Sequence, residues 1–276
     1  MEIVRISEAT GKTNRRNSPA AVFSRVSSGG MKLASSLGSI KLVLQGREIY
    51  RHRDQQIAVE AGQMLLVRPD MELSCEVDAA HPTRGLCLYV DEDKSRAISA
   101  PYVRTRAPAA YMETALELFN RSDSKSLTGL DGQDSLGTLQ EQGVSIAGAM
   151  SEHFLRLGLE RELARSALLC RLELARAFLE DCVEGSLDID RLCRETGMSK
   201  FHFMRSFKAA YGTSPKRYWT SKRLLAAMDV AREISEPLED VALRLGYSDR
   251  SSFARAFRRH IGQTPAQFMR ATARLH

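Results

Sequence analysis

Two sets of side chains, about 50 residues apart, have the residue types that read base edges in duplex DNA. An arginine can donate two hydrogen bonds to guanine, and an apolar side chain can contact the methyl group of thymine. The base-reading candidates are Lys200, Phe201, Met204 and Arg205 in the first set and Arg250, Ser251, Ala254 and Arg255 in the second. Two alternatives stay open: Phe201 and Met204 would also suit a packed core, and Arg205 and Arg255 would also suit a phosphate contact or an intradomain ion pair.

These sets belong to an internal repeat, in which Leu187–Tyr218 resembles Leu238–Phe268 with one residue inserted in the second copy. Seven positions match in order: Gly197, Phe203, Arg205, Phe207, Gly212, Pro215 and Tyr218 correspond to Gly246, Phe253, Arg255, Phe257, Gly262, Pro265 and Phe268. Each copy predicts a short helix, a glycine turn and a second helix, because glycine permits the turn and Ser199 and Ser248 can cap the helix that follows. This is the helix-turn-helix pattern.

The predicted helix-turn-helix units span residues 187–211 and 238–260, and a linker helix is predicted at 214–235. In the second helix of each unit, two phenylalanines four residues apart share the packed side, which leaves the base-reading candidates on or near the open side. The linker helix would be about 33 Å long, close to the ~34 Å turn of B-DNA. The two second helices are therefore expected to reach successive major-groove segments.

Positive charge is concentrated in the repeat region. The whole chain has 40 Lys and Arg against 34 Asp and Glu, whereas the segment from Arg165 onward has 20 against 13 and residues 1–164 have a net charge of −1. This distribution favours a polyanionic partner, although a solvated basic face without a partner would have the same charge. The candidates for phosphate contact are Lys208, Lys216, Arg217, Lys222, Arg258 and Arg259.

The N-terminal part has short apolar runs separated by turn residues, a pattern typical of an antiparallel sandwich or barrel. Strands are predicted at Ile40–Leu44, Ile57–Val59, Met64–Val67, Leu73–Val77 and Leu86–Val90. The inward positions, which would line a ligand pocket or fill a solid core, are predicted to be Leu42, Leu44, Leu65, Val67 and Leu88.

Helices are predicted to follow these strands. Pro108 suits a first helical turn, and apolar residues from Tyr111 to Phe119 follow at helical spacing. Residues 121–148 are rich in Ser, Gly, Asp and Gln and predict a mobile loop. The chain is predicted to be helical again from about Ser151, with an apolar stripe that Gly185 closes.

The basic region resembles the DNA-binding domain of the AraC/XylS family of bacterial transcriptional regulators. The motifs that carry the resemblance, over about 100 residues, are Leu192-Cys-Arg-Glu-Thr-Gly-Met-Ser199, Phe203-x-Arg-x-Phe-Lys208, Gly212-Thr-Ser-Pro215, Asp240-Val-Ala-x-x-x-Gly-Tyr-Ser248, Ser252-Phe-x-Arg-x-Phe257 and Gly262-Gln-Thr-Pro-Ala-Gln-Phe268. The resemblance implies a promoter-binding regulator, most often an activator that contacts RNA polymerase. It also implies that both helix-turn-helix units bind adjacent major grooves of double-stranded DNA.

The resemblance extends to the N-terminal part, where many members have a cupin-like barrel that senses a small molecule and helps to dimerise. Gly62-Gln-Met-Leu-Leu-Val-Arg-Pro69 is similar to the second cupin stretch, and Leu44-Gln-Gly46 to the turn before it. The expected fold class is an α+β chain of two domains: an N-terminal cupin-like β-barrel with flanking helices, and a C-terminal all-α domain with two helix-turn-helix units joined by a long helix. The expected domains are 1–106 (cupin-like, regulatory), 107–165 (helical with a mobile loop, and a dimerisation surface) and 166–276 (AraC-type, DNA-binding).

No metal, cofactor or catalytic site is predicted. A metal cupin needs several converging histidine or carboxylate ligands, but only His52 precedes and His81 follows the cupin-like stretch, and Ser74 lies where a histidine would usually occur. Neither a nucleophile–base pair nor a phosphate loop is apparent, so an enzyme is not expected. Two alternatives are a cupin-type enzyme with an attached DNA-binding domain and an architectural protein that binds DNA without sequence preference.

The remaining expectations concern location and control. The five cysteines contain no Cys-x-x-Cys pair and predict reduced thiols. The chain lacks an apolar run of about 18 residues and an N-terminal signal core, so a cytoplasmic protein without a membrane contact is expected. Control by a small-molecule effector in the barrel is the family's common answer, a regulatory protein is the alternative, and the helices around 109–120 and 149–164 are expected to form a homodimer.

Overall fold

The computed structural model describes residues 1–8, 13–122, 127, 129–183, 186–234 and 236–272. The chain forms two compact units, Met1–Leu174 and Ala175–His276, and the division falls within helix α4 (Glu162–Asp181). The first unit is rich in strands and the second is helical, which confirms the predicted α+β class.

The strands of the first unit precede most of its helices. The strands are β1 Glu2–Ile6, β2 Thr13–Arg16, β3 Ala20–Val26, β4 Gly29–Ser35, β5 Ser39–Gln45, β6 Arg47–His52, β7 Gln55–Glu60, β8 Gln63–Val67, β9 Glu72–Val77, β10 Thr83–Tyr89 and β11 Tyr102–Arg106. The helices are α1 Glu92–Ser95, α2 Ala109–Asn120 and α3 Leu130–Arg156, followed by the first part of α4. The predicted strands correspond to β5 and β7–β10, whereas β1–β4, β6 and β11 were not predicted.

Two sheets face each other in this unit. One has the order β1-β3-β10-β5-β8-β11 and the other β2-β4-β9-β6-β7. Neighbouring strands are antiparallel except for the parallel pairs β1–β3 and β2–β4. A shared core joins Leu65 and Tyr102 of the first sheet to Tyr50, Val59 and Leu73 of the second. The predicted sandwich or barrel is confirmed, with two parallel pairs that strand periodicity could not reveal.

Helices cover the outer face of the six-stranded sheet. The ring of Phe23 lies 6.0 Å from that of Phe119 on α2. Gly143 on α3 lies so close to the sheet that an added Cβ would be 2.8 Å from Cδ1 of Ile40. The central strands β3, β5, β8 and β10 are therefore mostly buried, and most of their residues are apolar.

The predicted inward positions are confirmed for two residues and wrong for three. Leu65 and Val67 line the space between the sheets, as predicted. On β5 it is Lys41 that lines this space, so the alternation of side chains directs Leu42 and Leu44 to the opposite face. On β10 the same reasoning applies to Leu88, because both of its neighbours line the space.

The loop predicted at 121–148 is wrong from residue 130 onward. Residues from Leu130 onward form α3, a helix of 27 residues. Its buried positions recur every three or four residues: Leu136, Leu139, Gly143, Ala147, Met150 and Phe154. Packing of this stripe outweighs the low helix propensity of its glycines and serines. Residues 123–126 and 128 of the predicted loop, and Gly185, lie outside the described residues.

The second unit contains the repeat. After the second part of α4, its helices are α5 Ile189–Thr196, α6 Lys200–Tyr211, α7 Pro215–Glu233, α8 Leu238–Arg244, α9 Arg250–Ile261 and α10 Pro265–Thr272. The pairs α5–α6 and α8–α9 are the predicted helix-turn-helix units, and α7 is the predicted linker helix. With 19 residues, α7 is about 28 Å long, shorter than predicted.

Glycine makes the turn in both copies. Gly197 and Gly246 have φ angles of 62° and 78°, in the left-handed region that glycine adopts without a steric penalty. Ser199 caps α6 as predicted, but the cap of α9 is Asp249 and not Ser248: its Oδ1 accepts a hydrogen bond of 2.7 Å from the Ser252 amide. The residue inserted in the second copy therefore lies within the turn.

The aromatic residues of the two copies pack in the same way. The rings of Phe203 and Phe207 lie 5.7 Å apart, and the rings of Phe253 and Phe257 lie 5.8 Å apart. Each second phenylalanine also contacts an aromatic ring beyond the next turn: Phe207 contacts Tyr218, and Phe257 contacts Phe268. The repeated motif is thus a repeated core, which fixes the orientation of α6 and α9 within their helix-turn-helix units.

Candidate DNA-binding surface

The buried phenylalanines determine which face of each second helix is open to solvent. Phe203 and Phe207 on α6, and Phe253 and Phe257 on α9, are fully buried. Helical spacing places the base-reading candidates away from these residues. Six of the candidates are exposed, namely Lys200, Phe201, Arg205, Arg250, Ser251 and Arg255, and the other two, Met204 and Ala254, are half-buried.

Phe201 differs from the other large aromatic residues of the repeat. Its side chain is 76% exposed, although phenylalanine is among the residues most often buried. The alternative of core packing is therefore wrong for Phe201. An exposed aromatic ring in the first turn of a helix is available to contact bases in the major groove.

Two base-reading candidates make local contacts. Nζ of Lys200 lies 3.1 Å from Oδ1 of Asp190, and Nη2 of Arg255 donates a hydrogen bond of 3.0 Å to Oγ of Ser252. Both contacts are exposed, so each stabilises the fold little and can be exchanged for a contact with DNA. The ion-pair alternative for Arg255 is not realised within the described part of the chain.

The phosphate-contact candidates fall into two groups. Lys208, Lys216, Arg217, Arg258 and Arg259 are exposed. Lys222 is half-buried: its Nζ lies 3.4 Å from Oε1 of Glu180 and 5.5 Å from the centre of the Tyr218 ring. Its charge is therefore already paired with a carboxylate of the same unit.

Glu180 connects α4 with α7. Besides Lys222, its Oε1 accepts a hydrogen bond of 2.5 Å from the Tyr218 hydroxyl and lies 2.8 Å from Nη1 of Arg176. Burial alone would raise the pKa of Glu180, but the Tyr218 hydroxyl and the two cations lower it below its ordinary value. Glu180 thus stays ionised and holds the first half of α7 in place.

His260 lies near the phosphate-contact candidates Arg217 and Arg259, and it was not predicted as a functional residue. It is half-buried at the end of α9, and its Nδ1 is buried without a hydrogen-bond partner among the described residues. Burial, followed by the nearby charges of Arg217 and Arg259, lowers the pKa of His260. Arg217 in the first turn of α7 and Arg259 in the last turn of α9 thus place two cations near His260.

The first unit has a cavity of about 50 Å³ between its sheets. Apolar side chains such as Val22, Leu65 and Leu73 form most of its wall, but Lys41, Glu48 and Tyr50 also line it. Nζ of Lys41 lies 3.4 Å from Oε2 of Glu48, which accepts a hydrogen bond of 2.5 Å from the Tyr50 hydroxyl. A lysine in the middle of the apolar stretch Ile40–Leu44 was the sequence signal for this cluster.

Titration is restricted in this polar cluster. Burial raises the pKa of the Cys75 thiol to about 12 and that of the Cys87 thiol to about 11, so both stay protonated. Burial would lower the pKa of Lys41, but Glu48 raises it above its ordinary value. Lys41 thus stays protonated beside Glu48.

The described residues contain no group of three or more His, Cys, Asp or Glu side chains that could hold a metal ion. Nδ1 of His52 lies 2.8 Å from the carbonyl oxygen of Glu72, and Nδ1 of His81 lies 3.9 Å from Asp78. Each helix in the described ranges is too short or too polar to cross a membrane.

Both parts of the chain match known families. Residues 192–271 match the helix-turn-helix domain family, and residues 38–172 match the AraC-like ligand binding domain family. The first match contains most of the repeat, and the second contains most of the two-sheet unit and its cavity.

Individual proteins are similar in the helix-turn-helix region. Regulatory protein SoxS of Escherichia coli (strain K12) is 30% identical over 92 residues, which are 33% of this chain and 86% of SoxS. A protein of Proteus vulgaris, named "Probable transcription factor PqrA", is 35% identical over 82 residues, which are 30% of this chain and 67% of PqrA. A solved AraC-type regulator structure from Chromobacterium violaceum shares 29% identity over 37% of this chain and 89% of that chain, with a TM-score of 0.33.

Each matched region lies within one of the two units described above, the ligand-binding match within the unit that contains the sheets and the helix-turn-helix match within the helical unit. The chain belongs to the AraC/XylS family of bacterial transcriptional regulators, and it is a DNA-binding regulator with an N-terminal ligand-binding domain.

Proposed function

We propose that this regulator reads two adjacent major-groove segments of one DNA site, with α6 in the first segment and α9 in the second. The observation that carries the proposal is the common arrangement of the two copies: each second helix buries two phenylalanines and leaves a basic face open. A helix with such a face fits the major groove of B-DNA. The continuous helix α7 supports a constant spacing between the two reading helices.

In this proposal the side chains have two roles. Arg205 and Arg255 donate hydrogen bonds to guanines, and Phe201, Met204 and Ala254 contact thymine methyl groups, with Lys200, Arg250 and Ser251 beside them. The phosphate contacts are made by Lys208, Lys216, Arg217, Lys222, Arg258 and Arg259. The phosphate contacts supply affinity for any DNA, and the base contacts select the site.

The proposal has five further parts. The protein acts in the cytoplasm, without catalysis of its own, as an activator that contacts RNA polymerase while it is bound to a promoter. An effector in the barrel cavity controls it, and Lys41, Glu48 and Tyr50 support this part because ligand pockets commonly place a few polar groups in an apolar wall. The protein forms a homodimer through the helices around 109–120 and 149–164, where Leu116 and Leu155 are exposed apolar residues.

Selection of binding sites from random duplexes tests the DNA-reading proposal. We expect the wild-type chain to enrich sites with two short blocks about 10 base pairs apart, centre to centre. One block alone would contradict reading by both units, and no enrichment would favour an architectural protein without sequence preference. Transcription from a promoter with the selected site, with purified RNA polymerase, then tests activation: an unchanged or lower transcript yield contradicts it.

A further inference from the structure

The polar cluster in the cavity of the first unit has unused hydrogen-bonding capacity. The ammonium group of Lys41 has three donors, and its contacts are Oε2 of Glu48 and Oγ of Ser24, both at 3.4 Å. On Glu48, Oε2 accepts the hydrogen bond from Tyr50. Its Oε1 has no hydrogen-bond partner among the described residues. One donor and one acceptor therefore lie side by side in a mostly apolar wall.

We propose that this cavity binds a small uncharged molecule with a hydroxyl or primary amide group on an apolar body. This inference rests on the proposal that an effector in the cavity controls the regulator. A hydroxyl or amide group can accept a hydrogen bond from Lys41 and donate one to Oε1 of Glu48 at the same time. The apolar body of the molecule would contact the leucine and valine side chains that form most of the wall.

The charges of the cluster exclude ionic ligands. Glu48 is buried and Lys41 is half-buried, and the two form an ion pair 3.4 Å apart whose formal charges cancel. A carboxylate ligand would add a second negative charge beside Glu48, and an ammonium ligand would add a second positive charge beside Lys41. Arg68 also lines the cavity, but its Nη1 lies 2.9 Å from Oε2 of Glu162, which offsets its charge.

The size of the cavity favours a compact ligand. Its volume of about 50 Å³ has room for only a few water molecules. Met31 and Met71 line it and are half-buried, and unbranched methionine side chains adapt readily to the shape of a partner. We therefore choose probes with a body of four carbon atoms.

The experiment uses the full chain and four probes that share a butyl-sized body: butan-1-ol, butanamide, butanoate and butylammonium. Saturation-transfer NMR measures the affinity for each probe. We expect the alcohol and the amide to bind. Both ions should bind at least about tenfold more weakly, because butanoate cannot donate to Glu48 and butylammonium cannot accept from Lys41, and a hydrogen bond to a charged group contributes about that factor. Binding of either ion as tight as that of the alcohol, or binding of no probe, would overturn the proposal.

Variants of the ion pair make the test specific. In Glu48→Gln the cavity holds only a positive charge, so we expect butanoate to become the preferred probe. In Lys41→Met it holds only a negative charge, and we expect butylammonium to be preferred. Glu76→Gln and Lys32→Met are matched controls, because both side chains are exposed and lie outside the cavity wall. An unchanged order of the probes in the two cavity variants contradicts the proposal.

A single variant can fail to fold, because it leaves one buried charge without a partner. The double variant Lys41→Met, Glu48→Gln removes both charges and is expected to fold, and to bind the alcohol at least about tenfold more weakly than the wild type. Wild-type affinity in the double variant would overturn the proposal. Selective DNA binding of the wild-type chain is measured in parallel. If the wild type binds DNA selectively but binds no probe, this inference alone is wrong. If the wild type does not bind DNA selectively, the proposed function is wrong.

Discussion

At the scale of single residues, Phe201 and Phe203 show that two phenylalanines of α6 lie in different surroundings. Phe203 is fully buried between its helix-turn-helix partners, whereas Phe201, two residues earlier, is 76% exposed. An exposed phenylalanine does not contribute to the core, so an apolar ring at this position needs another reason. Contact with DNA is the reason that the proposed function supplies.

We predict that one alanine variant lowers stability and the other weakens DNA binding. Phe203→Ala should lower the free energy of unfolding by about 3–5 kcal/mol, because it leaves a cavity in the core. Phe201→Ala should change the free energy of unfolding by less than about 0.5 kcal/mol and weaken binding to the selected site by about 1 kcal/mol or more. Denaturant unfolding and DNA titration measure these quantities. If Phe201→Ala binds DNA like the wild type, Phe201 does not read bases.

His260 provides a second prediction at the residue scale. In the free protein, burial and the charges of Arg217 and Arg259 lower its pKa, so it is mostly neutral near neutral pH. DNA phosphates beside these arginines would raise the pKa again, and binding would then take up a proton. DNA affinity should consequently rise as the pH falls from about 7.5 to about 6.

The measurement compares this pH dependence in the wild type and in His260→Gln. The variant should have a flatter dependence, because it has no imidazole to protonate at this position. His81→Gln, which replaces an exposed histidine of the first unit, serves as the control and should match the wild type. Identical curves for the wild type and His260→Gln would place His260 away from the phosphates.

At the scale of elements, α7 both packs against other helices of the second unit and connects the two helix-turn-helix units. Its first half is held by Glu180 through Tyr218 and Lys222, and its second half packs with α8 and α9 through Leu224, Met228 and Ala231. Both halves of α7 are therefore attached to other helices of the second unit. Rigid attachment of this kind supports a fixed spacing between the two reading helices.

Because Lys222 is paired with Glu180, Lys208 and Lys222 should contribute differently to the salt dependence of DNA binding. Lys208 is exposed, and Lys208→Ala should lower the dependence of log K on log salt by about one unit. Lys222→Ala should lower it less, because Glu180 offsets the charge of Lys222, and should also lower the melting temperature. DNA titrations over a range of salt concentrations measure the slopes. Equal slopes for the two variants would contradict the difference.

At the scale of the whole molecule, the helical repeat was the part that the sequence predicted best. Its helices depend on local signals, namely phenylalanines four residues apart, glycines at the turns and capping residues, and these occur twice. The position of the cap in the second copy was missed because Ser248 and Asp249 are adjacent and both can cap a helix. The exposure of Phe201 could not be predicted from the sequence, since the helical pattern alone allows either a buried or an exposed side chain at this position.

The first unit was predicted less well, for a physical reason. A sheet that is covered on both faces has apolar residues on both, so alternation does not show which residues point inward. This explains why Leu42, Leu44 and Leu88 were misplaced and why Lys41, between Ile40 and Leu42, was the better indicator of the interior. Likewise, α3 was predicted as a loop because its composition obscures a buried stripe that only packing reveals.

The central claim is that α6 and α9 each read one block of a single DNA site. Repeating the site selection with Arg205→Ala and Arg255→Ala tests it most directly, with Arg96→Ala, an exposed arginine of the first unit, as the control. Each reading-helix variant should lose base preference in one block only, a different block for each, at a cost of about 1–3 kcal/mol on the wild-type site and little on random DNA. Loss of preference in the same block, or equal losses on all DNA, would contradict the claim.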